Sequence, residues 1–129
     1  KIGNNVKIKS SARIHCPWNL KIGDNCWIGY NTNIYNISEL IIGSHVAIAH
    51  DVTICCGSHD IYKVSFDIIK MGKIEIQDEV WIANDAFVGP QVTIKKGAVM
   101  GARSSTFKDL DEGTIYLGNP ARAINKRKN

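Results

Sequence analysis

Residues 42–54 read IGSHVAIAHDVTI, and an aliphatic residue returns at every sixth position, at Ile42, Ile48 and Ile54. Val46 and Val52 stand at the fifth position of the same units. Working outward, the unit aliphatic-x-x-x-small-x starts at Ile2, Ile8, Ile14, Ile22, Ile28, Ile34, Ile76, Ile82, Val88, Ile94 and Met100 as well. Its fifth positions hold Val6, Ala12, Trp18, Cys26, Thr32, Ser38, Ser58, Val80, Ala86, Val92, Ala98 and Ser104, all small or β-branched except Trp18. In a strand, side chains two apart share a face, so pairs such as Val46-x-Ile48 and Val80-x-Ile82 point inward together. A helical period of 3.6 fits none of these spacings.

Units group in threes, because the steps from Ile2 to Ile22 and from Ile22 to Ile42 are 20 residues and the step from Ile76 to Ile94 is 18. Three faces per coil make a triangular prism, whose coils gain a core by stacking at ~4.8 Å. Glycines at second positions, including Gly23, Gly43 and Gly89, are expected to relax the corners. The pattern predicts an all-β parallel β-helix of about five coils over residues 1–111 and a C-terminal cap with a basic tail over 112–129. A β-sandwich would need turn signals every 8–12 residues, which the chain lacks.

The 129 residues, 44% hydrophobic and 22% charged, suit one domain. No apolar run approaches a membrane span, and no secretory leader opens the chain, which starts at Lys1 rather than Met. Cys16, Cys26, Cys55 and Cys56 form no CxxC pair, so reduced thiols and a cytoplasmic protein are expected. A net charge of +4, with the basic residues gathered near the C-terminus, predicts no nucleic-acid stripe but leaves room for an anionic ligand.

The beat stops after His59, in CCGSHD, and an excursion over 60–75 follows before Ile76. Long loops in regular scaffolds carry function more often than not. His59 takes the sixth position of its unit, which faces outward, so a core histidine is excluded if the register holds. Two readings stay open: a solvent-exposed histidine, or a general base, since neutral imidazole can take a proton from a hydroxyl at physiological pH. No serine or cysteine triad is evident nearby, which favours direct transfer over a covalent intermediate. Glu39, 20 residues back at the same unit position, either orients the imidazole or stays solvated.

Taken together, PWNLKIGDNCWIG, CCGSHD, VWIANDAFVGPQVTI, GARSSTFKDL and TIYLGNPARAINKR resemble the acetyl-CoA-dependent O-acetyltransferases of the hexapeptide family. The closest group is that of the colanic acid biosynthesis, nodulation and galactoside acetyltransferases. The resemblance implies left-handed winding, where the general rule for crossovers favours the right hand. It further implies His59 as the base that deprotonates the acceptor hydroxyl, and Trp81, Ala83 and Asn84 as lining for the pantetheine arm and thioester. A backbone N–H at Asn84 would then meet the oxyanion. Ala102 would hold pantetheine through its backbone, and Lys108 and Arg122 the nucleotide phosphates. It implies acetyl-CoA as cosubstrate, no metal, a sugar or saccharide acceptor, and a homotrimer with active sites between subunits. Ala83 stands where members often carry Gly, and Phe107 where they carry Thr. The acidic residues that galactoside-type members have near Asn36 and Ile37 are missing, which argues against a galactoside acceptor. For Lys126, Arg127 and Lys128 a solvated tail is expected.

Three rivals remain. Amino-sugar N-acetylation would use the same base and groove. A zinc enzyme like the trimeric β-helix carbonic anhydrases would need three histidines, and His15, His45, His50 and His59 fall at different unit positions. A binding scaffold would need neither an outward histidine nor basic residues in the cap.

Overall fold

The computed structural model describes residues 1–128, and its strands stack into three parallel sheets. The first face is built from Leu20–Ile22, Leu40–Ile42, Ile74–Ile76 and Thr93–Ile94, extended by bridges from Ile2 to Ile22 and from Ile94 to Leu110. The second face stacks Lys7–Ile8, Trp27–Ile28, Ala47–Ile48, Trp81–Ile82, Val99–Met100 and Thr114–Leu117. The third stacks Arg13–Ile14, Asn33–Tyr35, Thr53–Cys55, Phe87–Val88 and Ser105–Thr106. The chain visits the faces in that order in every coil, as the expected left-handed parallel β-helix. Below, the first corner joins the first and second faces, the second joins the second and third, and the third leads to the next coil.

Like residues stack on like along the prism. Ile8, Ile28, Ile48, Ile82, Met100 and Tyr116 form one column, and Ile14, Ile34, Ile54, Val88 and Thr106 another. Ile34, Ile48, Ile54, Ile76, Ile82 and Ile94 are fully buried. Removing one such side chain to alanine costs about 2–5 kcal/mol.

Two readings of the repeat need correction. The units that cross the third corner from Ile14 to Ile22 and from Ile34 to Ile42 are eight residues long, so their fifth positions do not face inward, whereas the six-residue unit from Val88 to Ile94 keeps Val92 buried. Trp18 is 79% exposed, and Leu20, Leu40 and Ile74, each two residues before the next first position, fill the core instead. Ser58 likewise lies on the surface. The second-position glycines do not carry the corner's unusual backbone. That falls to fourth positions, with φ of 57° at Asn25, 58° at His45, 57° at Asn31 and 60° at Asp85, a region that Asn and Asp tolerate best. Gly43 serves close approach, because a Cβ there would sit 2.2 Å from Asp78 Oδ1.

The beat resumes at Ile74, not Ile76, since Ile74 pairs with Leu40. The excursion also begins earlier than position 60. Gly57–His59 and Ile68–Lys70 pair antiparallel as a hairpin that stands off the prism. The tail differs from the solvated run expected. Arg122–Lys126 pairs antiparallel with Thr114–Leu117, Lys126 Nζ donates to Thr114 Oγ1 at 2.9 Å, and Arg127 Nη1 donates to the Glu79 carbonyl at 2.6 Å. Asn129 lies outside the described residues.

Candidate active site

His59 leaves the prism at the third corner. A Cβ on Gly57 would meet Ile37 Cδ1 at 2.5 Å, so glycine lets the hairpin start flush against the coil below. The Ser38 hydroxyl donates to the Met71 carbonyl and anchors its return. Within the hairpin, Asp67 accepts from Ser65 Oγ at 2.7 Å and from Lys63 Nζ at 3.2 Å, bonds that hold its carboxyl below the usual range. The Asp60 N–H donates to the Asp67 carbonyl at 2.8 Å, and the Phe66 N–H to the Lys63 carbonyl at 3.0 Å. Phe66 itself has φ 47°. This tight tip aims the Phe66 carbonyl at the His59 ring, with Nδ1 at 2.7 Å from the oxygen.

That contact decides the tautomer. A carbonyl oxygen only accepts, so the proton sits on Nδ1 and the Nε2 lone pair stays free. His59 is exposed, like Ser58 beside it, because the hairpin stands off the prism, and Nε2 has no partner among the described residues. Glu39 does not orient it. Glu39 pairs with Lys21 at 3.2 Å, and the orienting group is a backbone carbonyl that no sequence motif marks.

Trp81, Ala83, Asn84 and Ala102 gather at the second corner, in the fourth and fifth coils. Trp81 is 49% exposed, Ala83 is buried, and Asn84 and Ala102 are exposed. The Ala83 N–H is taken by the Met100 carbonyl at 2.9 Å, and the Asn84 carbonyl accepts from the Arg103 N–H at 2.9 Å. Among the described residues, the N–H groups of Asn84 and Ala102 donate to no protein acceptor. At the first corner, by contrast, the N–H groups of Asn4, Asp24 and Ser44 are met by side chains of the next coil. The second corner thus presents free donors toward solvent, available to a carbonyl or oxyanion.

Lys108 and Arg122 are not brought together. Lys108 lies on the third corner, where Thr106 Oγ1 donates to its carbonyl at 2.7 Å, whereas Arg122 pairs with Leu117 in the cap strand of the second face. Both are exposed. Phe107 packs on Phe87, with centroids 5.7 Å apart, and lies so close over Gly89 that a Cβ there would be 2.7 Å from it. Asn36 turns inward. Its side chain accepts from the Cys16 N–H at 2.9 Å and donates to the Cys16 carbonyl at 2.7 Å, which makes it a strut between coils.

His15 lies on the third face against Asn33, His45 at the first corner, His50 at the second and His59 on the hairpin. Among the described residues no three metal-ligating side chains converge. A cleft of about 620 Å³ opens at the first corner between His45, Glu79, Lys96, Glu112 and Arg127, away from His59 and Asn84 alike. No described helix is long and apolar enough to cross a membrane.

No family model matches the chain. It is 44% identical over 127 residues to the colanic acid biosynthesis acetyltransferase WcaF of Escherichia coli (strain K12), covering 98% of this chain and 69% of that protein. The maltose O-acetyltransferase of Clostridium difficile 630 superposes with TM-score 0.91 at 27% identity, covering 98% of this chain and 69% of that one. A hexapeptide-repeat acetyltransferase of Vibrio cholerae O1 biovar eltor, solved with acetyl coenzyme A, superposes with TM-score 0.93 at 25% identity, covering 98% and 70%.

Proposed function

Because the chain belongs to the hexapeptide-repeat acetyltransferases, we propose that it moves acetyl from acetyl-CoA to a hydroxyl of a sugar or saccharide precursor, with His59 as general base. The observation that carries this reading is the Nδ1 contact to the Phe66 carbonyl, which leaves Nε2 able to accept a proton. Its relatives include proteins named for sugar O-acetylation and one solved with acetyl coenzyme A, which supports the donor and the acceptor class.

The proposed steps run in this order. Nε2 takes the hydroxyl proton as the oxygen attacks the thioester carbonyl. The carbonyl oxygen gathers negative charge, and the Asn84 N–H is the donor assigned to it. The tetrahedral intermediate collapses, the C–S bond breaks, and the imidazolium returns its proton to the departing thiolate. No covalent acyl-enzyme is formed. Trp81 and Ala83 line the acyl arm, Ala102 holds pantetheine through its backbone, and Lys108 and Arg122 meet the phosphates with charge-assisted bonds.

His59 on the third corner and Asn84 on the second flank the same third face. A threefold assembly with that face toward the axis sets the third corner of one chain against the second corner of its neighbour. Each active site is then shared by two chains, and Lys108 and Arg122 reach one coenzyme from opposite sides. We assign the enzyme to the cytoplasm, where acetyl-CoA is made and four unpaired cysteines stay reduced.

The test is thiol release from acetyl-CoA in the presence of maltose, methyl galactoside or glucosamine, with the product identified by NMR. Transfer to an oxygen supports the proposal. Transfer only to the amine makes the enzyme an N-acetyltransferase, and no saccharide-dependent thiol release from a protein that binds acetyl-CoA would refute the saccharide acceptor.

A further inference from the structure

The hairpin tip holds a strained residue. Phe66 has φ 47°, in the left-handed region that a bulky side chain enters only at a cost. Its ring is 57% exposed, so burial of the ring does not keep it there. Bonds on either side do. The Phe66 N–H donates to the Lys63 carbonyl at 3.0 Å, which fixes the chain before the strained residue. After it, Asp67 is held twice. Its carbonyl accepts from the Asp60 N–H at 2.8 Å, and its carboxylate accepts from Ser65 Oγ at 2.7 Å and from Lys63 Nζ at 3.2 Å.

The Phe66 carbonyl and the Asp67 N–H belong to one rigid peptide plane. Its direction depends on ψ of Phe66 and φ of Asp67, the two torsions between those fixed points. Turned as it is, the plane presents its oxygen to His59 Nδ1 at 2.7 Å. A flipped plane would take the oxygen away, and the imidazole could then carry its proton on Nε2, the nitrogen that must accept one.

We propose that Asp67 is a positioning residue, whose carboxylate holds the Phe66–Asp67 peptide in the one orientation that keeps the His59 proton on Nδ1. This role rests on His59 as the base proposed above. The two carboxylate bonds are unequal. The Lys63 and Asp67 side chains are 60% and 53% exposed, so water screens their ion pair. The Ser65 bond is short and reaches back only two residues, and it carries most of the hold. Ser65 first and Lys63 second also hold the Asp67 carboxyl below its usual range. A tip that only joined two strands would not need a strained phenylalanine, because the ladder of Gly57–His59 with Ile68–Lys70 already pairs them.

The experiment compares wild type with Asp67→Ala, Ser65→Ala and Asp67→Asn. Nitrogen-15 NMR of the His59 ring reads the tautomer, amide exchange reads the hairpin ladder, and thiol release from acetyl-CoA with maltose or methyl galactoside reads turnover. In both alanine variants the Nε2–H tautomer should appear and kcat should fall about tenfold, a part of the ~10²–10⁴ that a general base contributes. The KM for acetyl-CoA and the ladder protection should be retained. Asp67→Asn keeps an oxygen for the Ser65 hydroxyl and should recover most of the turnover and of the Nδ1–H form. A ring that stays wholly Nδ1–H in both alanine variants overturns the proposal, and so does a changed tautomer with kcat unaltered. Should Asp67→Ala lose the ladder, Ser65→Ala decides by the same criteria. A wild type without turnover on either probe is a failure of the function proposed above instead. The ring signals then decide alone, a shift in the variants supporting the hold of Asp67 and no shift overturning it.

Discussion

The Nδ1 of His59 donates to the carbonyl oxygen of Phe66 across the hairpin at 2.7 Å. The imidazole is therefore oriented by main chain rather than by a carboxylate, and the nitrogen left free to accept a proton is Nε2. Nitrogen-15 NMR of the neutral imidazole should show the proton on Nδ1. Signals of an Nε2–H tautomer in the free enzyme would contradict this geometry.

In the proposed trimer, the separation of His59 and Ala102 onto two corners predicts complementation between chains. Ala102→Trp blocks one half of the site, and His59→Ala empties the other. Each variant alone should be inactive, while trimers mixed at random in equal parts should regain about one quarter of wild-type turnover, one half times one half, if each site takes its halves from different chains. No recovery from well-formed mixed trimers would place both halves in one chain.

Asn36 is fully buried, and its amide satisfies both backbone groups of Cys16. Asn36→Ala leaves that N–H and carbonyl unpaired, so denaturant unfolding should show a loss of about 1–3 kcal/mol. Acceptor KM should stay as it was, since the side chain is fully buried inside the prism. A stable variant with altered acceptor preference would reverse the assignment.

Burial, with help from the neighbouring Cys55, pushes the Cys56 thiol up from 9.0 to about 12. The native protein should therefore leave Cys56 unmodified by thiol reagents at neutral pH until it unfolds. For a group raised on folding, the contribution to stability is whole below 9.0 and disappears as pH climbs to about 12. Cys56→Ala should lack that alkaline decline, as measured by denaturant melts across the window. An equal decline in both proteins would assign it to other groups.

Much of the fold was legible in the sequence because stacking repeats one demand in every coil. Ile22, Ile42, Ile76 and Ile94 fill the same place, so period and register could be read directly. The reading failed where a unit lengthens. Two extra residues at the third corner shift the inward position to Leu20 and Leu40, and a fixed count cannot register the shift. Of the site, the break in the beat at His59 was legible, but the exposure of His59 comes from a hairpin that leaves the prism at Gly57 and exposes Ser58 as well, not from the parity of its unit. The Phe66 carbonyl was not legible, because it is set by the φ of one residue at the tip of a hairpin with no period. The cap was misjudged for a similar reason: Arg127 is held by backbone carbonyls of Glu79 and Gly97, which no pattern of side chains announces.

The account rests on His59 as the group that removes the acceptor proton. Steady-state turnover of His59→Ala with saturating acetyl-CoA and saccharide tests it most directly. Turnover should fall by ~10²–10⁴ while melting temperature and acetyl-CoA affinity are retained. A folded His59→Ala protein that turns over at the wild-type rate would contradict it.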